Sequence, residues 1–181
     1  MIALFDLDGT LINSRQTIID AYGLANITAP TDILEQAETG WLEAMVGTEL
    51  APQIRAEKNE HYLRLLQSGH APLLPSFQTA QSLRQDGNFV GLMTGAPKGS
   101  VKALCRSELM RHQVWPFVSV TEAASTERKM QQLSYLGDHG VYIDDQARLV
   151  NGNIPDGWTF IHYVGQDSDT LLKEVNACVY V

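Results

Sequence analysis

Residues 2–8 read Ile-Ala-Leu-Phe-Asp-Leu-Asp, a short apolar run that ends in two carboxylates one residue apart. An unbroken apolar run of this length suits a central parallel strand, buried on both faces. If the strand continued, Asp6 and Asp8 would share side-chain parity and point to one face. Like charges that close repel, and a counter-cation is the common remedy. Gly9 then lets the backbone turn sharply, and Thr10 adds a hydroxyl beside the pair. A hard divalent cation such as Mg²⁺ takes oxygen ligands and would neutralise the pair, which points to phosphate chemistry. An isolated Asp-x-Asp reads more readily as a solvated acidic turn. The apolar run before it, and the order of motifs after it, favour the metal.

After this strand, residues 14–74 read as helical throughout. Ile18, Ile19, Tyr22 and Ala25 fall at helical spacing within Gln16–Ala25. Pro30-Thr31-Asp32 has the form of a helix start, with Ile33, Leu34 and Ala37 on one face and Gly40 as a break. Trp41, Leu42, Met45 and Val46 suggest a short helix, and Pro52–Ser68 a longer one. From Pro75 the texture changes to helices alternating with apolar strands, the pattern of a βαβ protein. Ser76 is a candidate N-cap for a helix ending at Asp86-Gly87. Strands are expected at 89–93, 117–120, 141–143 and 158–164, with helices at 98–110, 125–136 and 168–175. The expected fold is α/β: a Rossmann-like parallel sheet flanked by helices, formed by residues 1–14 and 75–181, with residues 15–74 inserted as a helical domain.

The chain has 181 residues, 44% of them hydrophobic and 19% charged, which describes a globular protein with one good core. No apolar stretch reaches the length of a membrane span, and no basic leader precedes the first strand. The two cysteines, Cys105 and Cys178, form neither a disulfide framework nor a metal motif, so a reduced, cytoplasmic setting is expected. A net charge of −8 without a Lys/Arg cluster disfavours nucleic acid as a partner.

In a parallel sheet, ligands bind outside the carboxyl ends of the strands. Asp6, Thr94, Gly95 and Asp144 all stand at such ends, and Lys129 lies near a helix start. A hydroxyl and an exposed N–H at Thr94-Gly95 can bind phosphoryl oxygens. Asp144 and Asp145 follow Val141-Tyr142-Ile143 and point to opposite faces, so their roles should differ.

In order, Asp6-Leu7-Asp8-Gly9-Thr10, Thr94-Gly95, Lys129 and Asp144-Asp145 resemble the four motifs of the haloacid dehalogenase-like (HAD) phosphohydrolases, over residues 1–14 and 75–165. The resemblance implies Asp6 as nucleophile, Asp8 as the acid that protonates the leaving group, and Lys129 as the charge-balancing cation. Arg128 and Lys98 are rivals for that last role, and Lys102 a weaker one. Thr94, Gly95 and Thr10 would bind substrate, and Mg²⁺ would be held by Asp6, Asp8, Asp144 and Asp145. Of the last two, Asp144 is expected at the metal, while Asp145 supports it or orients Lys129. The helical insertion resembles the family's C1-type cap.

The implied activity is hydrolysis of a small phosphomonoester metabolite such as a sugar phosphate, phosphoglycolate or a nucleoside monophosphate. A phosphomutase, a polynucleotide 3′-phosphatase and a catalytically silent phospho-ligand binder are the alternatives. Adjacent Asp-Asp, where many capped members separate the two acids, keeps the subfamily open. Trp41, Met45, His61 and Tyr62 at helical spacing read as cap packing rather than a pocket.

Overall fold

In the computed structural model, which describes residues 1–36, 39–123, 125–136, 139–146 and 154–178, the first apolar run is the central strand of a five-stranded parallel sheet. The strands are β1 (Ile2–Phe5), β2 (Phe89–Thr94), β3 (Ser119–Glu122), β4 (Gly140–Asp144) and β5 (Trp158–His162), in the order β3-β2-β1-β4-β5. The helices are α1 (Arg15–Leu24), α2 (Trp41–Val46), α3 (Ala51–Gln67), α4 (Pro75–Gln85), α5 (Ser100–Cys105), α6 (Thr126–Leu136) and α7 (Ser168–Ala177). The chain winds outward from β1 through β2 to β3, then crosses to β4 on the other side. The switch point, where such sheets open a crevice, therefore lies between β1 and β4.

Register places Leu4 beside Tyr142 and Phe5 beside Ile143, and the Asp6 N–H extends the ladder by donating to the Ile143 carbonyl at 2.9 Å. Side chains alternate, so one face of the sheet carries Leu4 and Tyr142, packed with Met93, Leu133 and Trp158 beneath α6. The other face carries Phe5, whose ring meets Phe117, which in turn contacts Phe77 of α4. α4 packs along α7 on that side, where the Thr79 hydroxyl donates to the Ser168 carbonyl at 3.1 Å.

The chain divides into two units: Met1–Ile12 with Leu73–Ala96 and Val114–Val181, and Asn13–Pro72 with Pro97–Gln113. The second is helical, with a core of Tyr22, Ile33, Leu34, Leu42 and Ala51. Residues 97–113, which the sequence reading assigned to the sheet domain, pack on α3 in this helical unit.

Several elements differ from expectation for local reasons. Residues 31–36 form turns rather than a helix: the Asp32 carbonyl receives the N–H groups of Glu35 and Gln36, and Arg15 takes the Thr31 carbonyl. Ala37 lies outside the described residues. The helix expected over 98–110 stops at Cys105, where the Ser107 hydroxyl donates to the Leu104 carbonyl that the next helical turn would need. The third strand begins two residues late because Phe117 is drawn into the ring cluster with Phe5, Phe77 and Trp115. Ser76 does not cap α4. Pro75 opens that helix, and the buried Ser76 hydroxyl donates to the Thr10 carbonyl instead. Among the described residues no helix is long and apolar enough to cross a membrane.

Gly140 offers a direct check of the β1–β4–β5 seam. A Cβ there would stand 2.7 Å from the Trp158 ring and 2.9 Å from the Ile2 carbonyl, which is backbone and cannot yield. Gly140→Ala should cost about 1–3 kcal/mol, read as a lower urea midpoint at unchanged m-value.

Candidate active site

α6 decides which cation reaches the sheet. Lys129, Leu133 and Leu136 recur at i, i+4 and i+7, so the stripe that buries Leu133 and packs the partly buried Leu136 on the core also carries Lys129 inward. Arg128 is one residue out of phase and exposed, and Lys98 and Lys102 are exposed residues of the helical unit. The Lys129 ammonium donates to Asp6 Oδ1 and to Asp144 Oδ2, each at 2.8 Å. All three groups are buried, with Asp144 wholly inaccessible.

Both acids arrive by strand parity. Ile2, Leu4 and Asp6 alternate onto the α6 face, as do Gly140, Tyr142 and Asp144 on the neighbouring strand. Asp144 is saturated with donors: the Tyr142 hydroxyl also donates to Oδ2, and the Gln146 N–H to Oδ1 at 2.8 Å.

Asp145 is held through its backbone. Its N–H donates to the Thr10 hydroxyl at 2.9 Å, and its carbonyl lies 3.0 Å from His162 Nε2, which must donate since a carbonyl only accepts. The Asp145 carboxylate is packed against Gly9, whose φ is +82°; a Cβ there would come within 2.6 Å of the carboxyl carbon. Position 9 thus needs glycine twice, for the left-handed turn and for the space. One carboxylate oxygen, Oδ2, accepts from the Gln146 side chain at 3.3 Å; the other, Oδ1, is buried with no partner among the described residues.

Asp6, Asp144 and Asp145 bring carboxylate oxygens within 4.8 Å of one another. The Asp8 carboxylate is not one of that group, because the strand ends at Phe5 and residues 7–12 fold into a tight turn in which Leu7 accepts from the N–H groups of Leu11 and Ile12. Thr94 and Gly95 stand at the carboxyl end of β2, at the same sheet edge. The buried Thr94 hydroxyl accepts the Ala96 N–H at 3.0 Å, while Gly95 is exposed. The Thr10 hydroxyl, expected to face substrate, is directed to Asp145.

Among the described residues three carboxylates face one ammonium, and the electrostatics show the imbalance. Burial pushes the Asp6 carboxyl well above the usual range against the pull of Lys129, with Asp144 raising it further. Burial alone would depress Lys129, but the Asp6 and Asp144 carboxylates outweigh it and hold the ammonium above its ordinary range. Burial, then the neighbouring Asp144, raises Asp145 to about 7. A buried, unpartnered carboxylate oxygen among hard oxygen donors with excess negative charge fits a small divalent cation.

No protein-family model and no curated protein matches the sequence. Solved structures do match. CbbY from Rhodobacter sphaeroides, determined with phosphate, superposes at a TM-score of 0.64 with 17% identity over 91% of this chain and 87% of that one. A mutant form of that protein was determined with xylulose-1,5-bisphosphate. A HAD-superfamily hydrolase of subfamily IA, variant 1, from Geobacter sulfurreducens matches at 0.63 with 14% identity over 96% and 95% of the two chains. A haloacid dehalogenase-like family hydrolase from Streptococcus pneumoniae matches at 0.63 with 16% identity over 96% and 90%. The chain has the fold of the HAD-superfamily hydrolases.

Sequence reasoning singled out Asp6, Lys129, Asp144, Asp145 and Thr10, which the fold brings together, and passed over Tyr142, Gln146 and His162. Tyr142 shares parity with Asp144, a signal present in the sequence. His162 comes from the last strand and carried none. Removing the cation should expose the imbalance. Lys129→Met should destabilise the fold by about 3–5 kcal/mol in chemical denaturation, and Asp144→Asn in the same background should restore part of it.

Proposed function

We propose that this chain is a Mg²⁺-dependent phosphatase that hydrolyses a small phosphomonoester through an aspartyl-phosphate on Asp6. The observation that carries the reading is the buried Lys129 ammonium, held at 2.8 Å from both Asp6 and Asp144 at the switch point of the sheet. A solvated acidic turn would have no reason to build that arrangement, since burying the ions is costly without compensation.

In this reading an Asp6 oxygen attacks phosphorus and the bond to the leaving alkoxide breaks as Asp8 supplies the proton. Asp8, now ionised, takes a proton from water, which attacks the acyl-phosphate and releases inorganic phosphate and Asp6. Lys129 balances charge on Asp6 and on the transferring group. Thr94, whose oxygen already accepts from Ala96, keeps its hydroxyl proton to donate to a phosphoryl oxygen beside the exposed Gly95 N–H. Mg²⁺, bound by the Asp6 and Asp145 carboxylates and the Asp8 main-chain oxygen, would neutralise phosphoryl oxygens. Asp144 remains within the acidic group, but its Oδ2 is committed to Lys129, so the cation falls chiefly to Asp6 and Asp145. Thr10 then acts by placing Asp145 rather than by touching substrate.

We further propose that the helical unit is the cap that selects the substrate, and that a sugar phosphate, phosphoglycolate or nucleoside monophosphate is the class it admits. A cap of that kind would favour small molecules over polymers.

Hydrolysis of p-nitrophenyl phosphate with Mg²⁺ tests the reading. Turnover should vanish in EDTA, return with added Mg²⁺, and fall about 10⁴-fold in Asp6→Asn. Equal rates for wild type and Asp6→Asn across a phosphate-ester panel would rule the reading out.

The ion should also be felt in stability. Asp145 ionises with a folded-state pKa of about 7, above its ordinary unfolded value near 4, so keeping it charged costs the ion-free protein stability as pH rises from about 4 through 7. A cation bound to the carboxylate removes that cost. The rise in melting temperature on adding Mg²⁺ should therefore be larger at pH 8 than at pH 5.5, and apparent affinity should fall as pH drops below 7, by about tenfold per unit for the Asp145 proton alone.

A further inference from the structure

We infer that Tyr142 is a positioning residue for the reaction proposed above, acting through Asp144 on Lys129; the inference rests on that reading of the site. Tyr142 lies two residues before Asp144 on β4, so both side chains rise on the face covered by α6. The ring is buried among Leu4, Met93, Leu133 and Trp158. Its hydroxyl donates to Asp144 Oδ2, the oxygen that also receives Lys129, and the ammonium stands 5.7 Å from the ring centroid. With the Gln146 N–H on Oδ1, three donors leave that carboxylate one orientation. The ammonium it holds then keeps one position against Asp6.

Packing alone does not call for tyrosine. Phenylalanine would fill the same space and bury the same apolar surface, so the phenol oxygen needs its own reason. Asp144 supplies it. The carboxylate has no solvent access, and no water can replace a missing donor on Oδ2. Without the hydroxyl, Oδ2 keeps Lys129 as its only donor among the described residues, its attraction for the ammonium is undivided, and the ammonium shifts from Asp6 toward Asp144. Lys129 is then misplaced for the charge that develops during transfer. Substrate is still gripped by Thr94, Gly95 and the metal, so the loss falls on turnover rather than on binding.

The test is Tyr142→Phe, assayed with p-nitrophenyl phosphate and Mg²⁺ beside wild type, Asp144→Asn and the double variant. Expected are a kcat about tenfold lower and a KM within about twofold of wild type, as for other residues that orient a reacting group at one remove. Because Tyr142 acts through Asp144, adding Tyr142→Phe to Asp144→Asn should lower kcat no further. A kcat for Tyr142→Phe within twofold of wild type overturns the inference. So does a loss carried by KM, or single effects that multiply in the double variant, since either assigns the residue to packing. If wild type itself has no turnover, the phosphatase reading has failed, and the positioning claim is judged separately. Hydrogen exchange of the Lys129 ammonium, followed by its ¹H–¹⁵N signal, should be at least about tenfold faster in Tyr142→Phe, as hydrogen-bonded protection is lost. Unchanged exchange sinks it.

Discussion

One ammonium between two carboxylates organises this molecule. Lys129 joins α6 to the ends of β1 and β4, elements separated by 123 and 15 residues in sequence at its two contacts. Buried ion pairs contribute little net stability, because desolvation offsets the attraction, and an apolar substitute of similar volume often does as well. The arrangement is therefore poorly explained by folding alone. Its energetic signature supports that view: Asp6 is held well above the ordinary carboxylate range even with Lys129 at hydrogen-bond distance. Among the described residues the site carries more negative charge than its one internal cation satisfies, and a phosphoryl group alone would add to that excess. A divalent cation held by these carboxylates would offset both.

A second constraint works through backbone rather than charge. Gly9 turns the chain with φ at +82° and leaves the volume into which Asp145 is packed. Thr10, next in sequence, holds the Asp145 N–H, and its own carbonyl is fixed by the Ser76 hydroxyl of α4. His162 of β5 holds the Asp145 carbonyl from the other side. Three strand ends and a helix thus converge on one acidic residue whose side-chain Oδ1 has no partner among the described residues. The backbone is over-determined so that the side chain can stay available.

Much of this was legible in the sequence, and the unequal legibility has physical causes. The central strands read clearly because a strand buried on both faces is a continuous apolar run, as at Ile2–Phe5 and Val141–Ile143. The edge strand β3, half exposed, started two residues later than expected because aromatic packing of Phe117 outweighed local strand propensity. Lys129 was preferred to Arg128 through the resemblance, and the helical phase that turns it inward becomes visible only once the leucines of α6 are set against the sheet. Ser76 misled because a serine beside a proline has a local use as a cap, whereas its actual partner, the Thr10 carbonyl, is 66 residues away. The division of labour between Asp144 and Asp145 was unreadable for the same reason. Opposite parity showed that they differ, but which one meets Lys129 depends on which face α6 covers.

That face also settles how the two opening aspartates relate. Had β1 run on through Asp8, both carboxylates would have joined Asp144 beneath α6, and three buried acids would have crowded one lysine on one face. The ladder instead ends as Asp6 donates its N–H to Ile143, and the chain folds back through the Leu7–Ile12 turn. Asp6 keeps the parity of Leu4 and meets Lys129. Asp8 leaves that parity and stays outside the three-carboxylate group, although its charge still raises the Asp6 carboxyl. In the proposed reaction Asp6, as nucleophile, would face phosphorus, and Asp8, as general acid, would face the departing oxygen on its far side. Identical residues two positions apart can serve both demands only if the strand stops between them.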